Sequence, residues 1–361
     1  MDLVIYGAKG IALGTYEAIK YFCPERKIRC FLVTEQKGNA EFLSGAPVLE
    51  LDKFAEMLPE KEREKIEVLI AVPENVMPAI EKLLDERGFF CHTRMTSMRW
   101  AEWMGNYYSA NQKYQSLSAL PVGCHKPELK VFMAKFFMDK PLESHLDLPE
   151  WFTPIQVGAA LGGPKVAEIL DCDGPNISGK NGNYSELTGL YWVWKNCLLL
   201  QGEERKEEYY GLAHYRRFLA LSEEDLMRLG DNEVDVVLPY PMPYEPDVEE
   251  HHKQYLKQSD WEAVLRAVQE LHPAYAASFP EVLKQRYFYN YNIVIARKKI
   301  LADYCGWLFP ILERVEELTI PKGENRSDRY IGYIGESLET LYFMVNRDDL
   351  KIVHAGCQFL V

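Results

Sequence analysis

The sequence predicts an α/β protein whose first part is a Rossmann-like domain. Apolar runs of strand length alternate with helical patterns over the first 95 residues, which is typical of a parallel sheet covered by helices. The first strand runs into a glycine turn, Gly7-Ala8-Lys9-Gly10. At 361 residues the chain is longer than one hydrophobic core usually grows, so we expect a second domain after this one.

The elements follow one another in chain order. Strands are expected at LVIYG, IRCFLV and VLIAV, with helices over residues 12–21, 54–58 and 77–87. Residues 1–95 would form the accessory domain. Residues 96–127 are polar and aromatic and end in a proline- and glycine-containing stretch, which predicts a helical connector and linker. A second α/β domain is expected over residues 128–361, opening with a strand at 129–136.

Gly7 and Gly10 stand where a backbone approaches a ligand or where a helix packs closely on a strand. Their spacing departs from G-x-G-x-x-G, and Glu35 is a loosely placed acidic residue after the second strand. Two interpretations stay open: a structural or regulatory turn, or a dinucleotide site that would make the protein an NAD-dependent oxidoreductase. The segment resembles the small N-terminal Rossmann-like domains that are fused to bacterial sugar-modifying enzymes.

Composition limits the partners. A net charge of -13 argues against nucleic acid, because phosphate neutralisation needs a basic surface. Lys126, Lys130, Lys135 and Lys140 could face an anionic membrane or form a solvated face. Eight scattered cysteines and a start without a leader pattern predict a cytoplasmic protein, which could associate peripherally with the inner membrane.

The most informative segment is ISGKNGNYSELTGLYWVWKN, residues 177–196. Apolar residues at helical spacing predict an amphipathic helix, for which Asn183 and Glu186 match a capping box. Glu186 is therefore either a capping residue or a group that faces a ligand. The loop before the helix carries Asp173 and Asn181, which suit sugar hydroxyls or phosphate, or an exposed turn.

The strand-like run YYGLAHYRRFL, residues 209–219, ends on cations. Strand alternation puts His214 and Arg216 on one side and Arg217 on the other. A guanidinium binds phosphate through two parallel hydrogen bonds, so this cluster predicts an anion site, with structural ion pairs as the alternative.

Polar residues recur near the end of the chain. Asn290 and Asn292 enter an apolar strand, where buried amides require partners or a ligand. Glu336 follows two glycines at a helix start and could serve as a general base or be a solvated glutamate. His354 has the same ambiguity.

Taken together, these motifs resemble a bacterial family of glycosyltransferases with an uncharacterised domain, found in capsular and exopolysaccharide gene clusters. The resemblance covers residues 128–361 and rests on ISGKNGNYSELTGLYWVWKN, GLAHYRRF, VVLPYP, YNYNIVIARKKIL, CGWLFPILERVE and RYIGYIGESL. It implies a glycosyltransferase A-type α/β fold. It also implies transfer of a hexose, often galactose, from a nucleotide-diphosphate donor to a glycan or lipid-linked glycan acceptor.

The resemblance also suggests roles for individual residues. The predicted catalytic residues are His214, Arg216 and Glu336, with Glu336 as the base. The predicted donor-binding residues are Arg217, Asp173, Asn181, Glu186, Asn290 and Asn292. A third interpretation is a non-catalytic sugar-nucleotide-binding or scaffold protein of polysaccharide assembly.

The resemblance does not settle whether the transfer would use a divalent metal ion. Where many A-type enzymes carry Asp-x-Asp for a divalent metal, this chain has His214-Tyr215-Arg216, which is compatible with metal-independent transfer. Against this, Asp171 and Asp173 form an earlier D-x-D, and His354 resembles a late metal-binding histidine, so Mg or Mn stays an alternative. Phe136 and Phe137 stand where relatives place a His-Lys pair.

Overall fold

The structure is a computed structural model that describes residues 2–143, 147–199, 208–322 and 326–361. Two large sheets, each covered by helices, make up most of it. The predicted α/β class is thereby confirmed. We call the first sheet with its helices the N-terminal unit and the second the C-terminal unit.

The N-terminal unit has the strand order β3-β4-β2-β1-β5-β6, and its pairs are parallel except β3 with β4. Its strands are β1 (Asp2–Tyr6), β2 (Ile28–Val33), β3 (Phe42–Leu43), β4 (Ala46–Glu50), β5 (Ile66–Ile70) and β6 (His92–Arg94). Its helices are α1 (Gly10–Phe22), α2 (Leu51–Glu56), α3 (Glu60–Arg63), α4 (Met77–Glu86) and α5 (Ser97–Ala110). The order reverses between β1 and β5, as in Rossmann-like sheets.

Helix α5, which the sequence placed in the connector, packs on α1. The Trp100 indole donates a hydrogen bond to the Ile11 carbonyl at 3.1 Å, and Met104 and Tyr108 are fully buried in the same core. A division of the chain at residues 95 and 127 stays a prediction.

The C-terminal unit is a mixed sheet with the order β16-β12-β15-β10-β7-β8-β9, and β11 joins β10 to β17. Its strands are β7 (Glu128–Lys135), β8 (Phe152–Gln156), β9 (Ile169–Leu170), β10 (Glu208–His214), β11 (Arg217–Leu219), β12 (Val236–Pro239), β15 (Val294–Arg297), β16 (Ile352–Ala355) and β17 (Cys357–Phe359). Strands β13 (Met242–Pro243) and β14 (Tyr287–Phe288) form a separate pair.

The helices of the C-terminal unit cover this sheet and bury its largest core. They are α6 (Asn181–Tyr184), α7 (Leu187–Val193), α8 (Glu223–Asp231), α9 (Val248–His252), α10 (Gln258–Leu271), α11 (Pro273–Ala276), α12 (Phe279–Lys284), α13 (Lys298–Leu318) and α14 (Tyr330–Val345). Helix α7 continues as a π-helical turn over Trp194–Leu198.

The single strand predicted over residues 209–219 is wrong, because the chain reverses at Tyr215 and Arg216. Strand β10 ends at His214, β11 begins at Arg217, and these two residues pair across the hairpin. Directly opposed residues share a face of the sheet. His214 and Arg217 therefore lie together, where alternation along one strand had separated them.

The two units are packed tightly against each other. The Tyr108 hydroxyl donates to the Pro241 carbonyl at 2.8 Å, and the Phe359 amide donates to the Ser97 hydroxyl at 3.0 Å. A Cβ added at Gly105 would lie 2.7 Å from the Tyr240 hydroxyl oxygen. There is no room for a side chain at this contact.

The lysine cluster predicted near the second domain is not one patch. Lys126 is paired with Glu223, while Lys130 and Lys135 lie five positions apart on β7 and so point to opposite faces. No helix in the described part of the chain is both long and apolar enough to cross a bilayer.

Candidate functional site

A cavity of about 580 Å³ opens at the carboxyl ends of β7, β8 and β10. These neighbouring strands are parallel, and open α/β sheets bind ligands at such strand ends. Its walls include Asp139 after β7, Leu161 after β8 and residues 214–217 after β10. The opposite wall comes from Ser185, Glu186 and Arg329.

Arg217 is the best-placed cation of this cavity. Its guanidinium carbon lies 4.2 Å from the centre of the Tyr291 ring and 4.6 Å from that of Phe359. The two rings hold the guanidinium from its faces, and the described residues offer it neither a hydrogen bond nor an ion pair. Its in-plane N–H groups are therefore ready for a bidentate anion.

His214 and Arg216 also line the cavity, but each is held differently. The His214 Nε2 donates to the Tyr291 carbonyl at 2.5 Å, so Nδ1 is the ring nitrogen left for other contacts. Arg216 lies over the Tyr215 ring at 4.7 Å, and its Nε is buried without a hydrogen-bond partner among the residues that the structure describes. His214 thus orients the Tyr291 backbone, which in turn supports Arg217.

The capping box predicted for Asn183 and Glu186 does not form. Ser185, with φ 51° and ψ -129°, separates α6 from α7, and this conformation is strained for a residue with a side chain. The Asn183 side chain instead accepts from the Asp328 amide at 3.3 Å. Glu186 accepts from Asn292 Nδ2 at 2.6 Å and lies 3.9 Å from His214 Nε2. Glu186 is therefore part of the cavity wall.

Sequence reasoning missed Arg329 as a site residue. It precedes α14 with φ 63°, lines the cavity, and its Nε donates to the Ser185 hydroxyl at 3.0 Å. The amino end of α14 carries a partial positive charge that adds to the guanidinium. The sequence did offer one signal for this site. Asp328 and Arg329 directly precede the helical pattern of α14, and no side chain there caps the helix.

Glu336 lies behind the cavity rather than in its wall. It is 9% exposed, and burial, reinforced by the Glu186 carboxylate, raises its pKa to about 8. The Tyr291 amide and the charges of Arg217 and Arg329 act in the opposite direction. Burial also raises the pKa of Glu339, one helical turn further on. With its pKa at about 8, Glu336 is mostly protonated near pH 7.

The other residues that the sequence predicted for donor binding lie in different parts of the structure. Asn181 lines the cavity, but its amide donates to the Ser185 carbonyl at 2.7 Å and so braces the loop. Asn292 is buried beneath Glu186. Asn290 lines a second cavity, between the two units. Asp173 is exposed and outside the cavity wall, because its loop turns toward solvent, so its predicted donor role has no geometric basis.

Two of the residues considered as metal ligands, Asp171 and His354, are buried and have other partners. Asp171 is fully buried and accepts from the Gly158 and Ala159 amides at 2.9 and 3.0 Å and from the Ser178 hydroxyl. The His354 Nε2 atom and the Tyr289 hydroxyl form a hydrogen bond of 2.8 Å. Burial lowers the pKa of His354 to about 4. Over the described ranges, no three His, Cys, Asp or Glu side chains are grouped to hold an ion.

The N-terminal glycines serve packing. Gly7 has φ 121°, and a Cβ there would lie 2.5 Å from the Ala71 carbonyl oxygen. A Cβ at Gly10 would lie 3.2 Å from the Pro243 carbonyl oxygen of the C-terminal unit. About 80 Å³ remains open beside this turn, far less than a dinucleotide needs. The geometry therefore gives the NAD-dependent alternative no support.

Fold and cavity define a mixed α/β protein with a cationic pocket at the ends of parallel strands. Residues 138–347, more than half of the chain, match the family described as a domain of unknown function, DUF4422. The chain belongs to this family.

Among solved structures, the chain is similar to the apo structure of the WbbM bifunctional glycosyltransferase. The two share 26% sequence identity with a TM-score of 0.52, over 64% of this chain. The match spans 45% of the WbbM chain, so less than half of that protein has a counterpart here. No curated protein is significantly similar to this chain.

Proposed function

We propose that this protein is a glycosyltransferase with an A-type catalytic fold in its C-terminal unit. It would move a hexose, with galactose favoured, from a nucleotide-diphosphate sugar to a glycan or lipid-linked glycan acceptor in surface polysaccharide synthesis. The likeness to a glycosyltransferase structure supports the reaction class. The observation that carries the proposal is the position of the Arg217 guanidinium in a cavity at the ends of parallel strands, where the described residues give it no ion pair.

The donor diphosphate would lie between Arg217 and Arg329. Breaking the bond from the sugar to the diphosphate leaves negative charge on the phosphate oxygens, and fixed donors aimed at that charge stabilise the transition state. The amino end of α14 adds its partial charge on the Arg329 side. This arrangement supplies the charge neutralisation that a divalent metal supplies in other enzymes, and we assign no metal.

A pair of carboxyl groups would handle the acceptor proton. Glu186 meets the cavity, and Glu336, the base expected from the sequence, lies behind it and is coupled to it by charge. A group with a pKa near the working pH can accept a proton and release it again. We propose that the acceptor hydroxyl loses its proton to this pair as the new glycosidic bond forms.

The direct test measures nucleoside diphosphate released from a panel of UDP-, GDP- and dTDP-hexoses, with and without an acceptor oligosaccharide. We expect turnover of one donor class and, if the arginines replace a metal, unchanged turnover in EDTA. Arg217→Gln should lower kcat by about 10²–10³-fold. Arg347→Gln is the matched control, since its side chain is 69% exposed.

Two outcomes would contradict the proposal. Binding of a nucleotide sugar without turnover by any acceptor would favour the scaffold interpretation. Turnover that is equal in Arg217→Gln and in the natural protein would remove the anion-binding role of the strand ends.

A further inference from the structure

Two stacked tyrosine rings lie on the C-terminal unit, and neither belongs to the wall of the cavity at the strand ends. The ring centres of Tyr255 and Tyr333 are 4.8 Å apart, and their planes are 26° from parallel. Tyr255 is 46% exposed, so much of its ring contacts solvent. The described residues offer its hydroxyl no hydrogen bond. We call Tyr255 and Tyr333 the tyrosine pair.

The Tyr255 ring is held in place by its neighbours. The centre of the His251 ring lies 5.5 Å from that of Tyr255 and is itself stacked on Tyr244 at 3.7 Å. Burial, reinforced by the Lys9 charge, lowers the pKa of His251 to about 4, so its imidazole is neutral near pH 7 and packs as an uncharged ring. A side chain that is already ordered loses little conformational freedom when a ligand binds, which favours affinity.

Helix α14 connects the tyrosine pair with the groups proposed for the reaction. Arg329, Tyr333 and Glu336 are spaced four and three residues apart, which places them on one face of the helix. The Tyr333 amide donates to the Arg329 carbonyl at 3.3 Å, so this face begins at the cavity wall. Burial raises the pKa of Tyr255, and the nearby Tyr333 and Glu336 groups raise it further. The tyrosine pair therefore lies close to both the cavity and the proposed base.

The exposed ring of Tyr255 has the chemistry that a sugar ring requires. A hexose carries C–H groups on the face of its ring and hydroxyl groups around the edge. The face of an aromatic ring is negative, so it attracts the positive ends of C–H bonds. The tyrosine hydroxyl can donate and accept hydrogen bonds at the edge of the sugar. One side chain can thus bind both parts of a hexose.

We propose that the tyrosine pair is the acceptor subsite, where one sugar ring of the acceptor glycan stacks on Tyr255. A hydroxyl at the edge of that ring would then face Glu186 and Glu336, while Arg217 and Arg329 hold the donor diphosphate. The proposal rests on the proposed function and specifies its acceptor. The group recognised next to the reacting hydroxyl is a sugar ring rather than the lipid part of a lipid-linked glycan.

Saturation-transfer NMR of the intact protein with three simple glycosides tests the subsite. The probes are methyl β-D-galactopyranoside, methyl β-D-glucopyranoside and methyl α-D-mannopyranoside. We expect at least one to bind with the C–H groups of one ring face nearest to the protein. Tyr255→Leu should weaken this glycoside by about tenfold or more, whereas Tyr255→Phe, which keeps the ring, should weaken it by about threefold at most. Tyr21→Leu is the matched control, since Tyr21 is 47% exposed on α1.

The proposal is overturned if none of the three glycosides binds, or if Tyr255→Leu binds the best of them as tightly as the natural protein does. An equal loss in Tyr21→Leu would place the glycoside elsewhere and would overturn it as well. This proposal and the proposed function fail separately. A nucleoside diphosphate that binds through Arg217, with glycoside binding independent of Tyr255, contradicts only the subsite. Glycoside binding that depends on Tyr255, without nucleotide binding, contradicts only the donor role.

Discussion

At the scale of single residues, the site depends on how its charges are compensated. Arg217 is held by aromatic rings rather than by a carboxylate, so its hydrogen-bond donors are not used within the described structure. Glu336 shows the opposite arrangement, a carboxyl group forced into an apolar setting next to another carboxylate. Arg217 is kept charged and accessible, whereas Glu336 is buried and titrates only near pH 8.

The raised pKa of Glu336 predicts a dependence of stability on pH. Its pKa is about 8 in the folded chain against 4.5 for the free group, so the folded state holds this proton more tightly. Its contribution is complete below pH 4.5 and is lost as the pH rises through 8. At about 1.4 kcal/mol per pKa unit, the loss is on the order of 5 kcal/mol.

Glu336→Gln should remove most of this loss. Urea unfolding at pH 5, 6.5 and 8 measures it, with Glu262→Gln on the exposed face of α10 as the control. Equal pH slopes for Glu336→Gln and the natural protein would show that the carboxyl group is not protonated in the fold.

At the scale of elements, the cavity is formed by how closely α7 approaches the sheet. Gly189 in α7 faces β8 and the residue after it, and a Cβ there would lie 2.9 Å from Val157 Cγ1. The close approach lets the short break at Ser185 present Glu186 and the Ser185 hydroxyl to the cavity. Glycine is therefore needed for the position of the helix.

Gly189→Ala should lower the free energy of unfolding by about 1–3 kcal/mol, because it overpacks this contact. Gly306→Ala is the matched control in α13, since its nearest neighbour would be Trp194 Cζ2 at an ordinary 3.9 Å. At position 306 the higher helix propensity of alanine should raise the free energy of unfolding by up to about 1 kcal/mol. Denaturant unfolding of both variants checks the opposite signs, and two changes of the same sign would contradict the packing account.

Sequence periodicity placed β1, β2, β5 and α1 within a few residues, because buried parallel strands and amphipathic helices leave strong local patterns. The reversal after His214 was missed, since Tyr215 and Arg216 carry no turn signal. Arg329 was missed for a different reason. Its bond to Ser185 joins residues 144 positions apart, and no local pattern reports such a contact.

At the scale of the whole molecule, the two units share buried polar contacts. The Tyr108 hydroxyl is fully buried and donates to the Pro241 carbonyl across the interface. Tyr108→Phe leaves that carbonyl without its donor, which should cost about 1–3 kcal/mol. Thermal unfolding should show a single transition shifted to lower temperature. Tyr21→Phe, whose hydroxyl bonds Ala110 at an exposed position, should change little. Two separate transitions would show that the units unfold independently.

The central claim is that Arg217 binds the diphosphate of an activated sugar. Calorimetric titration with matched nucleoside diphosphate and monophosphate pairs (UDP with UMP, GDP with GMP, dTDP with dTMP) tests it most directly. We predict that the best diphosphate binds more tightly than its monophosphate, and that Arg217→Gln reduces this difference at least tenfold while monophosphate affinity changes little. An undiminished difference in the folded Arg217→Gln protein would contradict the claim.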